Sequence, residues 1–222
     1  LYLAHSGSHN NQGGVLQYDK GRWGEDGVFE IRSHLKRPPK DLLAAMNLLK
    51  SDHDRGMGKM IDYFEDISRN SSRLRSWGFQ FPGPELDRLY KPSHPHTEGF
   101  DCSGCGTEHL ETRLDRKSDD PAVHYGLIAS ANAVTRSAVY RDHLRDTWGV
   151  CCFEMEAAGL MNYFPCLIVR GVADYSDNHK NDHWQRYAAA MAAAYAKDLL
   201  RVIPPEDVGG TGVTSEIDEN SM

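Results

Sequence analysis

Hydrophobic and polar positions in the first third of this chain follow two spacings, one typical of strands and one typical of helices. Residues 1–32 contain short β-like runs separated by glycine and asparagine turns, which predict several short strands. A helix is predicted after Pro38-Pro39, because proline favours the first helical position. Its core-facing positions are Leu42, Leu43, Met46 and Leu49. A second amphipathic helix is predicted at Met60, Tyr63, Phe64 and Ile67.

Regular patterning resumes at His124. The run HYGLIAS, residues 124–130, predicts a strand, and residues 138–144 predict a helix. A long final helix is predicted over residues 182–203, ended by two prolines. We interpret its apolar stripe as core, and its members are Trp184, Ala188, Met191, Tyr195 and Leu199.

Residues 150–177 carry the most informative pattern. Two apolar runs, residues 150–153 and 166–169, each lead into acidic residues, and a helical pattern over 156–164 joins them. A strand–helix–strand unit of this length normally forms two parallel strands with a right-handed crossover. We therefore expect Glu156 and Asp174 at the same edge of one sheet, where ligands bind in α/β folds. Two carboxylates facing one cleft suit acid and electrostatic catalysis on a sugar.

Length and composition narrow the class of protein. The 222 residues are enough for one α/β domain with a substantial core. A formal net charge of -7 lacks the basic footprint of nucleic-acid binding, and no apolar run approaches a membrane span or a signal peptide. Five cysteines, an odd number, favour reduced thiols over a disulfide framework. We expect a cytoplasmic protein that binds neither nucleic acid nor a membrane.

The polar, proline-punctuated segment 51–120 interrupts the pattern of alternating strands and helices. We expect it to be an excursion or insertion within a domain that covers residues 1–203. The remaining residues, 204–222, are small and acidic, which predicts a disordered tail or linker.

The motifs FEMEAAGLMN and RGVADYSDNHK resemble those of the purine nucleoside phosphorylase and nucleosidase superfamily. The resemblance is closest to the nucleoside phosphorylase-like domains of fungal multidomain proteins. It is strongest over residues 121–200 and weaker over residues 13–120. It implies a three-layer α/β/α sandwich with a mixed central sheet, here lacking the first N-terminal strands of the family. It also implies a homo-oligomer and fusion to other domains in a longer protein.

The resemblance also implies roles for four residues in cleaving a purine nucleoside. Glu156 would hold the 2′ and 3′ hydroxyls of the ribose, and Met155 would pack beneath the sugar. Glu154 is a further ribose-binding candidate, although it lies on the opposite face if the strand continues. Asp174 would be the catalytic acid that protonates N7 of the leaving purine, for which it must carry a proton near neutral pH. The alternatives are that Glu156 caps its own helix and that Asp174 is a turn residue.

A base pocket is implied at Ser130, Ala131 and Asn132, with Phe153 as a possible aromatic wall. Family members commonly have glycine at the Ala131 position, and bacterial nucleosidases have phenylalanine at the Val134 position. The chain therefore departs from the family where the base is recognised, and the base preference is not predicted.

The nucleophile is not predicted either. Family members place phosphate with a glycine-rich loop after their first strand, or activate water with a glutamate, and residues 1–12 match neither feature. Phosphorolysis, with inorganic phosphate as co-substrate, and hydrolysis both stay open, and no cofactor is expected. Arg170 and Arg186 are candidates to approach phosphate. The alternative function is a catalytically degenerate nucleoside-sensing domain of a larger signalling protein.

One further cluster has metal-binding chemistry. Histidines and cysteines crowd into sixteen residues, and those with zinc-ligand potential are Cys102, Cys105, His96 and His109. Two thiolates and two imidazoles can complete a tetrahedral zinc site. The spacing is not that of a standard finger, so free thiols and surface histidines are the alternative, and a zinc-stabilised interaction module is a third interpretation.

Overall fold

A computed structural model describes residues 2–4, 13–32, 35–70, 72–97, 99, 101–114, 116 and 118–204. Its strands are β1 Tyr2–Ala4, β2 Val15–Gln17, β3 Gly21–Trp23, β4 Phe29–Ile31, β5 His124–Ser130, β6 Val150–Glu154 and β7 Val169–Arg170. Its α-helices are α1 Lys40–Asp54, α2 Met60–Asn70, α3 Ser72–Ser76, α4 Ala138–Trp148, α5 Ala157–Tyr163 and α6 Gln185–Val202. The predicted tail beyond residue 204 lies outside the described residues.

The main sheet is built around β5, which has the strand-forming sequence HYGLIAS. Strands β1, β2 and β6 all pair with β5 in parallel, and β7 pairs with β1 in antiparallel orientation. The sheet is therefore mixed, as expected. Strands β3 and β4 form a separate two-stranded hairpin.

One expectation about this sheet is wrong. The apolar runs at residues 150–153 and 166–169 were expected to form two parallel strands, but β7 runs against β1 and hence against β6. The physical reason is that β7 does not join the sheet beside β6. It pairs with β1 instead, and a strand can pair with β1 in either the parallel or the antiparallel orientation. The apolar run at residues 166–169 does not specify which orientation is used.

Helices cover both faces of the sheet, because the side chains of β5 point alternately to the two faces and are apolar on each. Ile128 packs with α5, whereas Leu127 and Ala129 pack on the opposite face with Leu144 of α4. Tyr125, on the same face as Leu127, packs against the helices α1, α2 and α6. The chain therefore has the three layers expected of an α/β/α sandwich.

The three large helices follow the predicted apolar stripes. Met46 and Leu49 of α1 are fully buried against Tyr195 of α6, and Met60 begins α2 in the same core cluster. The stripe of α6 is buried except at Trp184, which is partly exposed and lies just before the helix.

A buried carboxylate joins these helices. Asp198 of α6 is fully buried and accepts hydrogen bonds from His53 Nε2 at 2.9 Å, the Lys59 N–H at 2.7 Å and Arg201 Nε at 2.9 Å. Burial alone would raise the pKa of Asp198, but these hydrogen bonds outweigh it and hold the pKa below its ordinary value. The carboxylate therefore fixes the end of α1 and the start of α2 on α6.

Residues 77–123, which we call the connecting segment, run from α3 to β5. Their described part has short 3₁₀ turns at Pro84–Leu86 and Thr107–His109 and one bridge between Tyr90 and Leu110. A small buried cluster lies within it, formed by Tyr90, Cys102, Cys105 and Leu110. Trp184 attaches the segment to the body by donating from Nε1 to the Leu86 carbonyl at 3.0 Å. Among the described residues, none of the helices is both long and apolar enough to cross a membrane.

Candidate functional site

A cavity of about 660 Å³ opens where β6 ends and where the chain leaves β7. Phe153, Glu154 and Met155 line it from the first side, and Arg170 and Asp174 line it from the second. Although β7 runs against β6, the turn after Arg170 brings Asp174 back to the end of β6. The cavity thus brings Asp174 together with Glu154 and Met155, whereas Glu156, which the sequence analysis paired with Asp174, is not among the lining residues.

Glu154 is the buried carboxylate of the site. Its Oε2 accepts hydrogen bonds from the N–H groups of Glu156 at 2.9 Å and Ala157 at 2.8 Å, which are the first free donors of α5. Its Oε1 is buried without a hydrogen-bond partner in the part of the chain that the structure describes. The helix-capping role considered for Glu156 therefore belongs to Glu154, two residues earlier.

Glu156 does not line the cavity but contacts Arg170, which does. Its side chain is 62% exposed, and its Oε2 accepts a hydrogen bond from Arg170 Nη1 at 2.9 Å. Arg170 itself lines the cavity, so the pair couples the start of α5 to the end of β7. Met155, 41% exposed, lines the cavity beside it.

Asp174 is held in a turn and in an ion pair. Its Oδ1 accepts from the Ser176 N–H at 2.9 Å, which is the Asx-turn considered as the alternative to catalysis. Its Oδ2 lies 2.8 Å from Lys180 Nζ. Among the described residues, the ion-pair partner of Asp174 is therefore a cation, and not the carboxylate of Glu156. The carboxylate also lines a second cavity of about 240 Å³ on its other side.

The loop that carries Asp174 is anchored by residues that the sequence analysis missed. Arg141 of α4 donates from Nη1 to the Tyr175 carbonyl at 2.8 Å and lies 3.5 Å from Asp177 Oδ2. The Tyr175 hydroxyl donates to Asp87 and accepts from Arg113 Nη1 at 2.6 Å. Burial and the Asp87 carboxylate raise the pKa of Tyr175, so the phenol stays neutral. No spacing in the sequence connects these residues, because they meet only through the tertiary fold.

Of the residues predicted for the base pocket, Phe153 lines the cavity, whereas Ser130, Ala131 and Asn132 precede lining residues in the chain. Ser130 Oγ accepts from the Ala158 N–H at 3.1 Å, Ala131 is buried, and the Asn132 N–H donates to Asp19 Oδ2 at 2.8 Å. The wall itself is formed by the next three residues, 133–135, together with Phe153.

The cavity lining carries more cationic than anionic side chains. The cations are Arg141, Arg145, Arg170 and Lys180, against the carboxylates of Glu154 and Asp174. Each of these four cations is already paired with a carboxylate, so an anionic ligand would have to compete for them. Arg186, the other candidate for a phosphate contact, donates instead to the Trp77 carbonyl.

Three of the four zinc candidates come together in the connecting segment. The ligand atoms of His96, Cys102 and Cys105 all lie within 4.8 Å of one another. His109, the fourth candidate, stacks instead on His94 with ring centroids 3.9 Å apart.

The chain is similar to a "Nucleotide-binding leucine-rich repeat (NLR)-like protein" from Hyaloscypha variabilis. The two are 43% identical over 194 residues, which cover 87% of this chain but 19% of the relative. The chain thus spans about a fifth of the length of the curated relative that it matches. No protein-family model matches the chain, and no solved structure matches it significantly.

Proposed function

We propose that the large cavity binds a purine nucleoside and that the chain cleaves its N-glycosidic bond by phosphorolysis or hydrolysis, as a nucleoside phosphorylase-like domain. One observation carries the proposal: Glu154 and Met155 from the end of β6 line the same cavity as Asp174. The two motifs that resemble the superfamily are thus adjacent in space. We propose that the reaction needs no cofactor. We also propose that the chain forms a homo-oligomer.

In this proposal the ribose binds at the rim, beside Met155. Glu156 accepts hydrogen bonds from the 2′ and 3′ hydroxyls of the ribose. Its carboxylate is exposed, and Arg170 Nη1, 2.9 Å from its Oε2, orients it. As the C1′–N bond lengthens, the sugar gains oxocarbenium character, and a fixed carboxylate beside it stabilises the developing positive charge. Glu154 has a structural task, because it holds α5 and therefore the position of Glu156.

Asp174 acts as the acid that protonates N7 of the departing purine. Before it can act, Asp174 must bind a proton from solvent, and its Oδ2 must separate from Lys180 Nζ, which lies 2.8 Å away. Lys180 lines the same cavity, where its ammonium group could then pair with an anionic group of the bound substrates. The proton then moves from Asp174 Oδ2 to the base.

The nucleophile binds beside the arginines that line the cavity. Arg141, Arg145 and Arg170 are donors of the type that binds phosphate, and on this basis we favour phosphorolysis, in which inorganic phosphate as co-substrate competes with their present carboxylate partners. Hydrolysis uses the same acid and the same ribose contact, with water in place of phosphate.

Chromatographic product analysis tests the proposal. Adenosine, inosine and methylthioadenosine are incubated with the chain, with and without phosphate, beside Asp174→Asn and the matched control Asp62→Asn, whose carboxylate is exposed on α2. We expect free base from the wild type and the control, and a rate about 10²–10⁴ times lower from Asp174→Asn. Base that requires phosphate identifies a phosphorylase, and base without phosphate identifies a nucleosidase. An unchanged rate in Asp174→Asn would exclude this acid.

A second candidate function is nucleoside sensing within a larger signalling protein. It is favoured by the NLR-like name of the relative, of which the chain covers 19%. Saturable nucleoside binding by a folded chain that releases no base would select this function over catalysis. Both functions fit a cytoplasmic domain fused to others, in keeping with its five free cysteines.

A further inference from the structure

We propose that His96, Cys102 and Cys105 form a structural zinc site with His179 as the fourth ligand, and that this site fastens the connecting segment to the loop that carries Asp174. None of the four ligands is a proposed nucleoside contact, although His179 directly precedes Lys180, which lines the large cavity. The site would be present whether or not the chain cleaves a nucleoside.

The distances between the three ligand atoms fit a single tetrahedral ion. His96 Nδ1 lies 3.3 Å from Cys105 Sγ and 3.9 Å from Cys102 Sγ. Zinc bonds of about 2.3 Å to sulfur and 2.0–2.1 Å to nitrogen place tetrahedral ligands roughly 3.5–3.8 Å apart. Small side-chain adjustments would therefore bring all three atoms onto one ion. The Cys105 N–H also bonds the Cys102 carbonyl at 3.2 Å, which closes the tight turn between the two thiols.

The surroundings are those in which a structural ion stabilises a protein segment. The described part of the connecting segment has little regular secondary structure, and its buried cluster consists of the two cysteines with Tyr90 and Leu110. So few apolar side chains cannot by themselves order a segment of this length, and a structural metal is a common solution. Although the segment has so small a core, Cys102 and Cys105 are only 7% and 5% exposed.

We choose His179 as the fourth ligand because its ring lies beside His96, and a side-chain movement would bring one of its ring nitrogens to the other three ligand atoms. The two ring centroids are 5.3 Å apart, and His179 Nε2 is buried without a hydrogen-bond partner among the residues described. Tyr90 stacks on the His179 ring, with the two centroids 4.0 Å apart. Without metal, Cys102 Sγ donates to the His179 carbonyl at 3.4 Å. Zinc binding removes that thiol proton, and a zinc–imidazole bond then joins the same two segments.

The binding step is balanced by proton release. One Zn²⁺ replaces the protons of two thiols, so two protons leave for each ion bound near neutral pH, while both imidazoles bind as neutral ligands. No oxidant or reductant takes part. The competing product of the same two cysteines is a disulfide, which would need an oxidant and would exclude the metal.

The experiment measures metal content and spectroscopy on the reduced 222-residue chain. Elemental analysis should give one zinc per chain, and reconstitution with Co²⁺ should give thiolate-to-cobalt charge-transfer absorption with the visible bands of a tetrahedral ion. Zinc at a hundred times its Kd should raise the thermal midpoint by roughly 5–11 °C, and a chelator should reverse the shift.

Variants locate the ion. Cys105→Ser, His96→Asn and His179→Asn should each lose stoichiometric zinc, whereas His109→Asn and Cys166→Ser, matched controls outside the cluster, should keep it. Zinc retained in His179→Asn at unchanged affinity would overturn the four-ligand site. The wild-type cobalt spectrum requires no variant to fold: reduced chain that shows no charge-transfer band and binds no zinc would overturn the whole proposal.

Discussion

Glu154 and Glu156 lie two residues apart, yet the structure predicts opposite consequences for removing them. Glu154 is 5% exposed and accepts two backbone hydrogen bonds at the start of α5. Glu156 has a side chain that is 62% exposed and contacts Arg170. Glu154→Ala should therefore destabilise the fold, and Glu156→Ala should leave its stability nearly unchanged.

The magnitude follows from the hydrogen bonds that are lost. A hydrogen bond to a charged group contributes about 1.5–3 kcal/mol, and loss of a helix N-cap costs about 0.5–2 kcal/mol. The two N–H groups share one oxygen, Glu154 Oε2, so their contributions are not additive. We expect Glu154→Ala to lower the free energy of unfolding by about 2–4 kcal/mol. Glu154→Gln keeps an acceptor oxygen but loses the charge, and should cost about 1 kcal/mol.

Urea unfolding followed by circular dichroism measures these differences, and thermal unfolding should show a midpoint about 4–16 °C lower for Glu154→Ala. Glu156→Ala should cost less than about 1 kcal/mol, because exposed ion pairs contribute little. Under the proposed function, however, Glu156→Ala should weaken nucleoside binding. The reasoning would be refuted if the two alanine variants unfolded at the same urea concentration.

Three further predictions concern other parts of the fold. Asp198→Asn should cost about 1–3 kcal/mol at pH 7. Because the folded-state pKa of Asp198 is lowered, its stabilisation is present above the unfolded pKa and is lost as pH falls through the folded pKa. The difference from wild type in urea unfolding should thus shrink below about pH 4, and a constant difference would contradict it. Leu49→Ala should cost about 2–5 kcal/mol, against less than about 1 kcal/mol for the half-exposed Leu48→Ala, in the same assay. Tyr175→Phe removes the contacts to Asp87 and Arg113, and limited proteolysis should then cut the connecting segment faster than in wild type.

The sequence predicted the elements of this fold well because their apolar spacing is regular. β5 matches residues 124–130, and α6 lies within the predicted helix. The direction of β7 could not be predicted, because an apolar run does not specify which edge it will pair with. In the same way, the motif FEMEAA marks two carboxylates but not which of them turns inward. That choice depends on where the strand ends, and β6 ends at Glu154.

The contacts that shape the site were invisible in the sequence for a different reason. The partners of Tyr175 are Asp87 and Arg113, and Lys180 reaches back to Asp174 through the path of one loop. None of these pairs has a periodic spacing or a motif. The sequence does show the motif formed by Cys102 and Cys105. Only the tertiary fold shows that His96 lies beside these thiols and that His109 stacks on His94 instead.

The pairing of β5 with strands near the start of the chain has a consequence for the order of events during synthesis. Tyr2 pairs with His124, roughly 120 residues later, and Val15 pairs with Ile128. At about 5–20 residues per second, the first strands leave the ribosome roughly 6–24 s before their partner. During that interval β2 lacks its pairing strand, and its apolar side chains are exposed to chaperones. The loop of Asp174 is synthesised later still, so the lining of the large cavity is complete only after β6, β7 and this loop have all emerged.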